Sequence, residues 1–447
     1  MHLEKYGDIF EIYLANKRQI VINRPGFLDN LYSPSTKARY FSRPTINGLE
    51  DLGVRKGITF NQNYEAWRRN RKILAHAVSA PSFLKKALTD SQEIFKRAES
   101  KWKDGQILDL AVWVKCFTTD FIMQTSTSED SYYLAWYQTP EEERDENMKF
   151  SRKLYCAIET WLSSIAFFVT VPKFLRHYAP GVRSLQLKFV NNTQWIRDFF
   201  RGIIKKRREL RKSSSNEKDG DFLDIMLAAY ECTDEMGDEP LDDDEICDAI
   251  MDITIGGIDT TSDGFCFVLW YLHNYPDVKQ RFLDEINSIL GADTNRAMTI
   301  EDIDKFVYLD AIIKEVFRVF TLAPLTLRRI TTEDTLGGFN WPAGTDFWIN
   351  HQAANNHPDY WVDPKVFNPD RFLNGEHLKA KNMWTTFGGG RYLATLEIKA
   401  LLINFHRKYE VGLVDKDAPI RYWYAITNHC SKLEIELHRK KPISKEE

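Results

Sequence analysis

Two groups of residues in this chain have the types and spacing that chemistry needs. The first is Gly256-Gly257-Ile258-Asp259-Thr260-Thr261-Ser262, an acid beside a run of hydroxyls. Upstream, Ile246, Ile250 and Ile253 recur at i, i+4 and i+7, one apolar helix face. That face continues through Gly257, Thr260 and Gly264, so a greasy stripe turns small and hydroxylic in mid-helix. A glycine pair weakens a helix locally, and a threonine hydroxyl competes for backbone carbonyls. Spacing leaves two outcomes open. One is a groove with an acid beside it; the other is a close helix–helix contact, which also selects small residues. The second group is charged. Glu315 and Arg318 stand i, i+3 on an otherwise apolar helical stretch, and Arg371 follows in Phe367-Asn368-Pro369-Asp370-Arg371-Phe372. A bare E-x-x-R is common and usually a surface ion pair of little worth. Trp67 and Arg71 are i, i+4, so an indole N–H and a guanidinium could reach one carboxylate.

Near the C-terminus the chain reads Thr386-Phe387-Gly388-Gly389-Gly390-Arg391-Tyr392-Leu393-Ala394-Thr395-Leu396-Glu397. This resembles the heme-binding loop of the cytochromes P-450, F-G-x-G-x-R-x-C-x-G followed by a helix. The opening at Phe387 and the helix are both present. The x-R-x-C-x-G between them is not, and the chain is short by six residues there. The absent cysteine is the one whose thiolate pushes electron density onto heme iron.

The other motifs resemble the same family in the same order. Gly256 to Ser262 matches its oxygen-activation motif, which assigns Asp259 and Thr260 to proton delivery. Glu315, Arg318 and Arg371 match E-x-x-R and P-E-R-F, which implies a buried structural triad. Trp67-Arg68-Arg69-Asn70-Arg71 matches W-x-x-x-R, which implies that Trp67 and Arg71 hold a heme propionate. Arg329, in Leu327-Arg328-Arg329-Ile330, is the better match to a second propionate arginine. Phe387 completes the cofactor-binding set, and no metal ligand is left to name. The resemblance implies a mainly α fold with a small β portion. It implies heme, electrons from NADPH through a flavoprotein reductase, and insertion of one oxygen atom into an apolar small molecule.

Three readings of the shortened loop stand open. The gap is an error of gene prediction or splicing; or the protein is a non-catalytic relative that binds an apolar molecule; or another side chain, Tyr392 being nearest, ligates heme. As written, the chain is expected to hold heme weakly or not at all.

The flanking patterns must position these residues. The first sixty read as strands and turns, for example Lys17 to Asn23. From about Tyr64 to Phe320 the patterns are mostly helical. Asp242 with Glu245, and Thr299 with Asp302, mark helix starts. Strands return after Pro324, and a last long helix runs from about Tyr392 to Tyr409. The polar Ser213 to Asp221 stretch reads as a surface loop, so residues 1–447 form one P-450-like domain.

A net charge of −4 argues against nucleic-acid binding. The six cysteines, Cys116, Cys156, Cys232, Cys247, Cys266 and Cys430, form no C-x-x-C pair and none adjoins Phe387. Nothing is long and apolar enough to span a bilayer. The anchor helix and hinge that microsomal family members carry ahead of Lys5-Tyr6-Gly7 do not stand in this sequence, and two readings are open: a genuine absence or a truncated start. The resemblance implies the endoplasmic reticulum membrane surface, with peripheral contact, or the cytoplasm if the chain is complete. Ile165 to Pro172 could line a channel, dip into a membrane surface, or be plain core.

Overall fold

The computed structural model describes residues 5–14, 17–32, 37–41, 49–53, 55–213, 220–231, 241–378, 384, 391–424 and 427–440. Phe387, with the glycines that follow it, and Cys232 lie outside them. The chain divides into two compact units, residues 45–101 with 115–259, and residues 1–44 with 102–114 and 260–447.

The first unit is built of helices whose ends follow local chemistry. Asn63 starts the Tyr64–Ser79 helix by accepting from Ala66 N at 3.1 Å. Pro81 then begins Pro81–Glu99, where its missing N–H costs nothing. Asp145 starts Glu146–Thr170 by accepting from Met148 N at 2.8 Å. The long Asp243–Asn274 helix begins at a reciprocal box. Glu245 N donates to Asp242 Oδ1 at 2.8 Å, and Asp242 N donates to Glu245 Oε2 at 3.0 Å. Ile165 and Phe168 are buried, and Phe167 and Phe168 pack on Phe189, while Ala166, Thr170 and Pro172 are exposed.

The second unit carries the sheets. One has four strands in the order Ile9–Leu14, Lys17–Ile22, Asp346–Asn350, Leu325–Arg329. Lys17–Ile22 pairs in parallel with Asp346–Asn350, Ile20 opposite Phe347, and the other pairs are antiparallel. Ile20, Ile22, Phe347 and Ile349 bury one face of it with Leu28, Tyr40 and Ile330. A three-stranded sheet joins Gln106–Asp109, Glu434–Arg439 and Tyr409–Leu413. Gln106–Asp109 falls inside the span read as helical. Its four residues are too few to show a period, and their partners lie at the far end of the chain. Two hairpins complete the β portion, Asp334–Leu336 with Phe339–Trp341, and Arg421–Tyr424 with Asn428–Lys432. Gly337 and Gly338 turn the first at φ +62° and +82°, which only glycine adopts at little cost.

The Val307–Val319 helix is tied to the segment after it by buried charge. Glu315 accepts from Arg318 Nε at 2.7 Å and from Arg318 Nη2 at 2.8 Å, a bidentate pair with both side chains fully buried. Glu315 Oε1 also accepts from Arg371 Nε at 3.2 Å and from Asn368 N at 2.8 Å. The remaining donors of Arg318 reach the carbonyls of Asn355, Pro364 and Val366. Arg371 reaches those of Val362, Asp363 and Val366. Sequence reading missed the fourth member: Glu376, 3.2 Å from Arg371, makes two cations and two anions. The set is neutral, which is what lets it be buried.

Glu315→Ala would leave two buried guanidiniums facing one remaining carboxylate, at a cost of roughly 3–5 kcal/mol. Thermal unfolding of the purified variant should show that loss, or soluble protein should fail to accumulate. A variant melting with the parent would mean the network contributes little. Glu315→Gln, which keeps shape and acceptor but not charge, should fall between.

Candidate active site

The Asp243–Asn274 helix runs unbroken through Gly256 and Gly257. A Cβ on Gly257 would meet Ile122 Cδ1 at 3.0 Å, and one on Gly264 would meet Phe317 Cζ at 2.8 Å. The glycines of the stripe are thus sites of close packing. Gly256 differs, with nothing within 4 Å of its Cβ position. A neighbour's hydroxyl reaches the helix backbone here: Thr118 Oγ1 donates to Ile258 O at 3.3 Å.

Asp259 and Thr260 are both partly buried. Lys115 Nζ lies 3.7 Å from Asp259 Oδ1. Burial, with the Asp259 charge adding to it, pushes the Tyr155 phenol well up, and Tyr155 donates to Glu159 at 2.7 Å. Two further acids of this helix hold the segment around Gly57. Asp248 accepts from Lys56 N at 2.9 Å and from Arg197, and burial pushes its carboxyl up to about 6. Asp252 accepts from Ile58 N at 2.5 Å and Thr59 N at 3.1 Å. Gly57, Phe60, Trp161, Met251 and Ile255 line a small cavity with these two acids. Sequence reading singled out neither acid; the i, i+4 spacing of Asp248 and Asp252 was the available signal.

Trp67 and Arg71 lie one turn apart on Tyr64–Ser79, both partly buried, with Tyr64 stacked on Trp67 at 6.1 Å. Arg329 pairs with Asp346, Nε to Oδ1 at 2.6 Å and Nη2 to Oδ2 at 2.8 Å. Its neighbour Arg328 donates to Leu327 O at 2.7 Å, and burial pushes its pKa down. Nearby His351 is held neutral, its pKa lowered to about 4 by burial and by the Arg328 charge. A guanidinium is a group whose chemistry suits a carboxylate.

The axial end does not fit heme in the same way. A thiolate is required, and burial pushes the thiols of Cys116, Cys156 and Cys247 up, Cys247 to about 12. Cys266 and Cys430 are buried too. Tyr392 is about half exposed at the start of the Arg391–Lys408 helix. On that helix, the first element described after the shortened loop, Glu397 is 2% exposed and its Oε1 has no hydrogen-bond partner. Burial alone pushes this carboxyl well above the usual range. A buried acceptor without a donor needs a reason, and here six residues of family pattern are missing just upstream.

The Cytochrome P450 family model matches residues 2–431, and the chain belongs to that family of heme-dependent monooxygenases. Members act on small molecules and take electrons from a redox partner. The chain is 27% identical over 401 residues to a probable cytochrome P450 516A1 of Dictyostelium discoideum, covering 86% of this chain and 76% of that one. It is 26% identical over 438 residues to cytochrome P450 2U1 of Bos taurus, covering 93% and 75%. The fold is that of the cytochrome P450DA heme domain, with a TM-score of 0.81 at 19% identity, covering 97% and 90%.

Glu397→Leu should stabilise the chain as it stands by roughly 1–3 kcal/mol, since it removes an unsatisfied buried group. The folded carboxyl has a raised pKa, so the parent loses stability as pH climbs past the ordinary carboxylate range, and the gain should grow in that direction. In a chain with x-R-x-C-x-G inserted after Gly390 the same change should cost stability. Equal effects in both backgrounds, read by thermal melts, would separate Glu397 from the loop.

Proposed function

We propose that this protein oxidises an apolar small molecule, with NADPH-derived electrons delivered by a flavoprotein reductase. The observation that carries the reading is the acid–hydroxyl pair Asp259–Thr260 on an unbroken long helix. In it, Asp259 and Thr260 hold and pass protons, while Trp67, Arg71 and Arg329, with Arg328, hold the carboxylate rim of the cofactor. Heme supplies the oxygen-activating chemistry when bound. Phe387 belongs to the cofactor set by sequence. The family match spans both compact units, which supports one functional domain over residues 1–447.

Among the described residues no helix is long and apolar enough to cross a membrane. Exposed Phe174, Leu175 and Tyr178 support peripheral contact with a membrane surface, that of the endoplasmic reticulum in this reading. The absent cysteine favours a second reading for the chain as written, a non-catalytic binder of the same class of molecule.

The purified chain should bind heme weakly or not at all and show no thiolate-type spectrum with carbon monoxide. A six-residue x-R-x-C-x-G insertion after Gly390 should restore both. The same insertion with serine for cysteine should recover the loop's shape without the thiolate signature. A thiolate spectrum from the unmodified chain would overturn the assignment and point to one of the six cysteines present. Sequencing the gene after the Gly390 codon decides between the two readings.

In the inserted protein, Thr260→Ala should leave heme content unchanged and lower product formed per oxygen consumed. Unchanged coupling would reduce Thr260 to a packing residue.

A further inference from the structure

A cleft of about 120 Å³ opens beside Arg421 and Lys432, at the end of their hairpin opposite its turn. Its floor is apolar, with Leu413 and Leu433 both buried. One wall is Trp270, on the Asp243–Asn274 helix. Its Nε1 donates to Ala418 O at 3.4 Å, which holds the indole against the loop that closes the cleft. Trp270 follows Thr260 on that helix by ten positions, about 15 Å at the helical rise.

The rim is charged, and the charges are badly matched. Arg421 and Lys432 are direct partners across the hairpin ladder. Like charges so placed repel, and hairpin stability by itself would favour opposite signs there. The register slips between Cys430 and Lys432, a bulge of the kind that re-aims side chains beside binding sites. Glu434 answers Lys432 in part, with Nζ 3.0 Å from Oε2. Arg421 makes no ion pair or side-chain hydrogen bond among the described residues. Asp415, the other acid of the rim, stands on the loop beside Lys416 in sequence and leaves the two ladder cations facing each other.

We propose that this cleft is a second ligand site, for a single-ring aromatic carboxylate. The carboxylate lies between Arg421 and Lys432, where a planar guanidinium takes it bidentately and the repulsion across the ladder is relieved. The ring rests on the apolar floor against Trp270 and Leu413. The room is near that of a cavity known to take one benzene ring, roughly 150 Å³. This goes beyond the oxidase reading, because the occupant is an anion and Thr260 does not line the cleft.

The test uses the chain as it stands and reads neither heme nor turnover, so its failure leaves the oxidase reading untouched. Fluorine-19 NMR follows 4-fluorobenzoate, with 4-fluorobenzamide as its uncharged counterpart and 4-fluorobenzylamine as the cation. The parent should bind the carboxylate about tenfold more tightly than the amide, the worth of roughly one charge-assisted hydrogen bond. Arg421→Gln should bring the carboxylate down to the level of the amide. Trp270→Leu should weaken both alike and leave their ratio unchanged. Arg421 is exposed, and its replacement removes the like-charge pair, so Arg421→Gln should melt no lower than the parent without ligand. Added 4-fluorobenzoate should raise the melting temperature of the parent and not of Arg421→Gln. Equal binding of carboxylate and amide by the parent overturns the inference. So does a carboxylate preference that survives Arg421→Gln, the variant that keeps the test open should Trp270→Leu not fold. Tighter binding of the amine than of the carboxylate also overturns it, and assigns the cleft to cations through Asp415.

Discussion

Glu315 is the constraint on which the second unit depends. One carboxylate holds two guanidiniums and a backbone N–H, and those guanidiniums in turn hold carbonyls between Asn355 and Val366. That stretch is irregular, so its carbonyls have no ladder of their own and would be unsatisfied if buried alone. Arginine is the side chain that can satisfy several at once from a fixed plane. Long-range order in a loop region is thus set by side-chain charge rather than by strands. Glu376 keeps the sum at zero, without which burial of Arg371 would be prohibitive.

What could be read in advance follows the range of the interaction. The Asp242–Glu245 and Thr299–Asp302 boxes are contacts over three residues, and both starts fall where the sequence places them. The final helix, expected from about Tyr392 to Tyr409, is Arg391–Lys408. Gln106–Asp109 was hidden because its reason for being extended is Glu434–Arg439, more than three hundred positions away. Arg328 and Arg329 show the same limit at the level of a side chain. Their order in the sequence cannot say which one Asp346 neutralises; the strand register does, by setting Arg329 opposite Asp346.

The stripe on the Asp243–Asn274 helix shows how one pattern can hold both outcomes. Its glycines answer to packing, since Ile122 and Phe317 occupy the space a side chain would need. Its acid and hydroxyl are both partly buried. Small residues and reactive residues therefore share a face for different reasons, and periodicity alone could not separate them. Asp263 was invisible for a simpler cause. An aspartate in a helix says nothing until His429, on a hairpin far along the chain, is brought to it.

The buried tetrad, the four-stranded sheet and the helix caps are closed by residues outside 385–390. Cofactor ligation asks instead for one atom, a thiolate, in one place, and burial pushes the thiols of Cys116, Cys156 and Cys247 away from that form. Stability is distributed over many contacts and catalysis is concentrated in few. A short deletion can therefore remove the second and leave the first, with Glu397 as the acceptor left without a donor. A buried carboxyl without a donor costs stability, so a lineage long adapted to the short loop would gain by replacing it.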